Sequence, residues 1–308
     1  MRSRQVTSEV ASPSGILLVD KPEGLSSAQA VAVAKRSLGG VKVGHLGTLD
    51  PFASGLLPLC IGEGTKLAPY LNEADKGYRG LLRLGISTDT LDPTGRVVAE
   101  APVPALDQRA LEMLAGELVG EILQVPPVYS AIKRDGVPMY RLAREGRAPE
   151  MEPRRVTIYS LTLELKAPDR VALEVRCSKG TYVRAIARDL GARLGCGAIL
   201  EKLVRTAFGR FGLPEAVTLD TLRREGAGVR GTPAFLDVAE AVRHLPSLRA
   251  DAAVAKALRA GQQRVLGELG APEDASDAAR VLDPAGRLVA ILTADRGRGQ
   301  WNIGRVFG

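Results

Sequence analysis

The sequence predicts an α+β fold, with strands and helices in separate runs and a smaller β unit toward the C-terminus. Three observations carry this. Period-two alternation runs from Val156 to Lys166 and again over Val171-Leu173-Val175-Cys177, with only Ala167-Pro168-Asp169 between, which gives two neighbouring strands across a short turn. Directly afterwards Val183, Ile186, Ala187, Leu190 and Leu194 share one face of a helix, for which Thr181 is the predicted cap. Two short helices, Val238 to His244 and Ala252 to Arg259, then precede the short strands Arg280-Val281-Leu282, Leu288 to Leu292 and Arg305-Val306-Phe307.

The remaining elements follow from local signals. Met1 to Ser14 is polar and lacks an apolar stretch, so it reads as a disordered tail and not a signal peptide. Ile16-Leu17-Leu18-Val19 is a strand ended by Asp20-Lys21-Pro22-Glu23-Gly24, and Ser27 is the predicted cap of a helix from Ala28 to Leu38, stopped by Gly39-Gly40. Gly62-Glu63-Gly64-Thr65-Lys66 has neither the glycine spacing nor the Lys-then-Ser/Thr order of a phosphate loop and is read as a helix start. Lys76 to Leu84 and Leu200 to Phe211 read as strands, and Leu219 to Arg224 as a short helix. The glycine-rich stretch Gly226 to Pro233 is the predicted linker.

With 308 residues the chain can bury a full core and divides most simply into two domains. Its net charge of +7 rests mostly on arginine, the residue best suited to bidentate contact with phosphate, which points to a polyanionic partner. Three widely spaced cysteines without a Cys-x-x-Cys pair imply a reducing, cytoplasmic setting and no disulfide framework. Two distant histidines argue against a zinc site, and no apolar run approaches membrane-spanning length.

The chemistry concentrates between Val41 and Leu59. Asp50 is the one acid in glycine-rich and apolar surroundings, on a shaped loop that runs into the buried strand Gly55 to Ile61. A catalytic acid and the opening of a turn with Pro51 both fit it. The same Thr-Leu-Asp-Pro recurs at Thr90 to Pro93, where Thr94 and Gly95 follow and the turn reading is preferred for Asp92. Arg184 falls in the first turn of its helix, where a cation opposes the helix dipole, so either it has a specific partner or it points to solvent. From Gln124 to Arg147, Tyr129, Lys133, Arg134, Tyr140, Arg141, Arg144 and Arg147 interleave aromatic and basic side chains, as an RNA-contacting arm or a solvated surface hairpin would.

Taken in order, GHLGTLDPFASGLLP, KGYRG with STDTLDPTG, QVPPVYSAIK and CSKGTYVRAIARDLG resemble the bacterial TruB family, the tRNA pseudouridine-55 synthases. The match runs from about Gly15 to Phe307, with Leu46 in place of the threonine often found there. The resemblance implies a mixed, mainly antiparallel sheet core with helices over residues 15–245, an RNA-clamping insertion at about 124–151, and a small PUA-like RNA-binding β domain over 246–308. It implies an isomerase that acts on uridine 55 in the T loop of tRNA, breaking the glycosidic bond and rejoining the base through carbon. No cofactor, metal, membrane or protein partner is implied, and the expected state is a monomer. By resemblance Asp50 is the catalytic nucleophile or base, Arg184 its ion-pair partner and Tyr78 the residue stacked on the target base. His45 fills the space the base vacates, and Tyr182 and Leu203 are further pocket contacts. Two alternatives remain at this level: a noncatalytic RNA-binding protein, and a synthase directed by guide RNA.

Overall fold

The computed structural model describes residues 14–130, 133–134, 137–139, 151–272 and 277–308. Its ten principal strands are β1 (Gly15–Lys21), β2 (Ser54–Ile61), β3 (Lys76–Leu84), β4 (Gly120–Gln124), β5 (Arg154–Ala167), β6 (Arg170–Cys177), β7 (Ala198–Phe208), β8 (Ala278–Leu282), β9 (Leu288–Asp295) and β10 (Gln300–Val306). The helices are α1 (Ser27–Ser37), α2 (Gln108–Leu118), α3 (Val183–Arg193), α4 (Leu219–Glu225) and α5 (Ala252–Arg259).

Continuous apolar runs became strands covered on both faces, and alternating runs became strands with one wet face. Ile16, Leu17, Leu18 and Val19 of β1 are fully buried, as are Leu56, Leu57 and Leu59 of β2. In β6, by contrast, Val171, Leu173, Val175 and Cys177 are buried while Glu174 and Arg176 between them are exposed.

An 11-stranded sheet organises the main body, along the path Val217–Thr218, β1, β2, β7, β3, β6, β5, β4. From β7 to β4 every pairing is antiparallel. The exceptions are the pairing of Val217–Thr218 with β1 and the seam between β2 and β7, both parallel. That seam is short, with Ser54 opposite Val204 and Gly55 opposite Arg205. Gly55 has φ +100°, and a Cβ there would lie 2.5 Å from the Arg205 carbonyl oxygen. Only glycine lets the two backbones approach at this point.

Helix ends differ from expectation by one residue, with consequences for the site. Ser26, not Ser27, caps α1, in a capping box with Gln29; Ser27 is the first helical residue and is buried. Tyr182, not Thr181, stands at the N-cap of α3, without a side-chain cap. Its N–H is taken instead by Gln124 Oε1 at 2.8 Å, while Thr181 Oγ1 donates to the Ser178 carbonyl. The predicted linker is also no linker. Gly226–Gly231 is a 3-10 turn that buries Val229 completely, and Phe235–Asp237 beyond it pairs with β1.

A second, smaller core gathers Ala250, Val254, Leu258, Val281, Val289, Leu292 and Trp301 around the sheet Ser247–Arg249, β8, β9, β10. The last residues return to the main body, where Lys66 Nζ donates to Val306 O at 2.8 Å and Phe307 enters the large core. Of the expected arm from Gln124 to Met151, positions 131–132, 135–136 and 140–150 lie outside the described residues, as do 1–13 of the expected tail. All three cysteines are free and buried, in accord with the absence of a disulfide framework.

Candidate active site

The loop that carries Asp50 is fixed from two sides. Ser27 Oγ donates to the Leu49 carbonyl at 3.0 Å and accepts the Leu49 N–H at 2.9 Å. On the other flank the buried Lys21 donates to the carbonyls of Pro22 at 2.8 Å, Leu25 at 2.7 Å and Ala53 at 2.5 Å, and Gly24 N–H donates to Pro51 O at 2.8 Å. Between these anchors the Asp50 carbonyl accepts from Ala53 N at 3.1 Å. The turn reading of Asp50 therefore holds for its backbone, and the turn leaves the carboxylate free of backbone duty.

That carboxylate meets Arg184. Arg184 Nε lies 2.8 Å from Asp50 Oδ2, and Arg184 Nη1 lies 3.4 Å from Asp92 Oδ2. The guanidinium also donates to the carbonyls of Thr90 at 2.7 Å and Tyr129 at 2.9 Å, and the arginine is only 4% exposed. Four acceptors from three segments explain why a cation persists in the first turn of α3 against the helix dipole. Asp92 is in its predicted turn, where its Oδ1 accepts from Thr94 N at 2.9 Å and from Thr90 Oγ1 at 2.7 Å. It is also buried, and its other oxygen serves Arg184.

Arg205 organises the opposite wall. On β7 it is fully buried beside Tyr78, its cross-strand partner on β3. Its Nε donates to Leu56 O at 2.7 Å and its Nη2 to Gly47 O at 2.9 Å, and its charge acts on the Tyr78 hydroxyl. Leu203, two residues before it on the same strand, faces the same side.

Asp50, Arg184, Tyr78, Tyr182 and Leu203 thus line one cavity of about 380 Å³, with Arg205, Lys76 and Thr48. His45 does not line it. It stands in an adjoining cavity of about 470 Å³ with Asp92, Thr90, Tyr129 and Ser130, and Asp50 and Arg184 belong to both. Thr48 and Leu49 are shared as well, so the Asp50 loop and Arg184 border both cavities.

Burial dominates the electrostatics. It pushes the Asp50 carboxyl above its usual value of 3.8; Arg184 opposes the rise, and the like charge of Asp92 adds to it. An ion pair alone would hold this pKa down; the net direction is up, because desolvation outweighs it. The Asp50 side chain is nonetheless 35% exposed, toward the cavities, so it can meet a ligand. Burial raises the Tyr78 hydroxyl, with Arg205 opposing, and lowers the His45 imidazole, leaving it neutral near pH 7. Lys21 is lowered to about 8, first by burial.

Sequence reasoning missed Lys21, Asp92 and Arg205 as parts of the site. Arg205 had a signal, since it keeps step with Leu203 on the buried face of a strand. Asp92 had one in the repeated Thr-Leu-Asp-Pro, read only as a turn.

An acid and an arginine joined where two cavities adjoin, on a mixed and mainly antiparallel sheet, define the class to which known proteins can be compared. Residues 35–183 match the TruB family pseudouridylate synthase N-terminal domain, and residues 184–230 match the tRNA pseudouridylate synthase B C-terminal domain. The chain is 45% identical over 291 residues to tRNA pseudouridine synthase B of Azoarcus sp. (strain BH72), covering 94% of this chain and 92% of that protein. It is 46% identical over 285 residues to the Burkholderia mallei (strain NCTC 10247) protein of the same name, covering 92% and 94%. In fold it is similar to the archaeal box H/ACA sRNP Nop10-Cbf5 complex, with TM-score 0.70, 23% identity, and coverage of 97% of this chain and 88% of that one. A Cbf5-Nop10-Gar1 complex gives TM-score 0.71 at 24% identity, over 96% and 85%.

The chain belongs to the TruB family of pseudouridylate synthases. Its activity is that of a tRNA pseudouridine synthase. The boundary between the two family matches falls between Val183 and Arg184, so Asp50 and Tyr78 come from the first matched domain and Arg184, Leu203 and Arg205 from the second.

Proposed function

We propose that the cavity between Asp50, Tyr78 and Leu203 is the active site in which uridine 55 of the tRNA T loop becomes pseudouridine. The observation that carries this reading is the 2.8 Å contact of Asp50 with Arg184, at the wall of a cavity lined by Tyr78, Tyr182 and Leu203. A base within a folded loop must leave its stack to reach such a cavity. Once there, ionised Asp50 acts on the ribose as nucleophile or base. The bond from C1′ to N1 breaks, the base rotates, and a bond forms from C1′ to C5; C5 gives up its proton and N1 gains one. Nothing is oxidised and no group is transferred away, so the balance requires no cofactor.

Tyr78, anchored by Arg205, offers its ring to the base, with Leu203 beside it. Arg184 orients the Asp50 carboxylate and offsets part of its desolvation. His45, neutral and in the adjoining cavity, takes the gap left in the RNA loop. We assign residues 15–245 to catalysis and 246–308 to RNA binding, in a monomer that acts on tRNA in the cytoplasm without a protein partner.

The test is tritium release from a T-loop-containing tRNA transcript labelled at uridine carbon 5, with no added metal or cofactor. Release is expected from the native chain. Asp50→Asn should abolish it while tRNA binding is retained, and turnover by that variant would remove Asp50 from the chemistry.

A further inference from the structure

Four cationic side chains line the active cavity, and protein partners hold three of them. Arg184 is held by two carboxylates and two carbonyls, and Arg205 by two carbonyls. Lys179 pairs with Glu73. The fourth, Lys76, differs. Its Nζ donates to Ala74 O at 2.6 Å and stands 4.8 Å from the centre of the Phe208 ring, with no carboxylate within ion-pair distance among the described residues. An ammonium has three donors, and only one is engaged by a described acceptor.

The position is built and not incidental. Lys76 and Tyr78 are two apart on β3, so both side chains leave the same face of the strand, the face that lines the cavity. Phe208, directly across on β7, sets its ring under the ammonium. Burial and the neighbouring Arg205 both lower the Lys76 pKa, and Asp75 and Glu73 offset this only in part. The free protein therefore keeps a partly desolvated cation whose charge no close carboxylate balances.

We propose that Lys76 binds a backbone phosphate of the RNA beside the flipped uridine and so positions that nucleotide against Asp50. A compact ammonium with free donors takes an anionic oxygen in preference to a neutral carbonyl. Asn72, on the same cavity wall, is available to the same group. This inference rests on the reading of the cavity as the active site.

The experiment compares kcat/KM for T stem-loop RNAs that carry one uncharged methylphosphonate at each linkage flanking the target uridine. The enzymes are the native chain, Lys76→Met, which keeps the stem against Phe208, and Lys76→Arg, which keeps the charge. At one linkage the native enzyme should lose about tenfold, the value of one charge-assisted hydrogen bond. Lys76→Met should lose about as much on the all-phosphate RNA and no more at that linkage, and Lys76→Arg should recover most of the loss. The same further loss at every linkage in Lys76→Met, or full activity of Lys76→Met on the all-phosphate RNA, would overturn the proposal. If Lys76→Met melts early, the coupling is read from Lys76→Gln. Asp50→Asn is run alongside: turnover by that variant refutes the active-site reading, whereas its silence with no coupling at Lys76 refutes only the phosphate contact.

Discussion

Asp92 and Asp50 engage the same guanidinium through different nitrogens, Asp92 at Nη1 and Asp50 at Nε of Arg184. The arginine bridges two acids of the repeated Thr-Leu-Asp-Pro, one partly exposed and one buried. Removing either acid alters what the other experiences. Asp92→Asn should lower kcat by about tenfold to a hundredfold with little change in KM, because it loosens the arginine and leaves the RNA contacts in place. Single-turnover rates and tRNA binding measured together check this; a change confined to binding would remove Asp92 from the catalytic arrangement.

The same relationship fixes a pH dependence. On the proposed role Asp50 must be ionised, and its pKa is raised, so activity should fall as pH drops through a value above 3.8. Asp92 contributes to that rise by like-charge repulsion. In Asp92→Asn the acid limb of kcat/KM should therefore move to lower pH. A limb that stays in place, or moves upward, would show that Asp92 acts on Asp50 only by holding Arg184.

Arg184→Lys tests geometry against charge. A lysine keeps the positive charge but cannot reach Asp50, Asp92, Thr90 O and Tyr129 O together from one planar fork. Turnover should fall by about a hundredfold or more, close to the effect of Arg184→Ala. Near-native rates in the lysine variant would reduce the arginine to a source of charge.

Lys21→Met tests how the Asp50 loop is held. Three carbonyls lose their donor, so the variant should be less stable by about 2 to 4 kcal/mol in thermal or denaturant unfolding, and slower in turnover. In the native chain the folded-state pKa of Lys21, about 8, lies below the unfolded value of 10.5, so the folded form sheds this proton first. Native stability should then gain on that of Lys21→Met as pH rises from 8 toward 10.5. A constant difference across that window would contradict the burial of the charge.

Gly55→Ala tests the seam. A methyl group there would stand 2.5 Å from the Arg205 carbonyl oxygen, in a backbone conformation that disfavours side chains. The expected cost is at least about 2 kcal/mol of stability, together with lost turnover, because the seam brings the Asp50 loop to Arg205. Unchanged melting and activity would mean that β2 and β7 do not need this close approach.

What the sequence determined by itself was periodic or local. Strands such as Lys76 to Leu84, the helix face from Val183 to Leu190 and the buried run after Asp50 are written in side chains a few residues apart, and these elements appear where expected. Motif resemblance added the family, and with it Asp50, Arg184, Tyr78, Tyr182 and Leu203 as members of one site. Tertiary structure decided what no window of sequence holds. Whether Asp92 is only a turn residue depends on Arg184, 92 positions later; whether Arg205 is a surface cation depends on the carbonyls of Gly47 and Leu56. His45 and Tyr78 line different cavities, which share the Asp50 loop and Arg184. The sign of the Asp50 shift was decided in the same way: charge pairing can be guessed from residue types, but desolvation is set by everything that surrounds the carboxylate, and that exists only once the chain is folded.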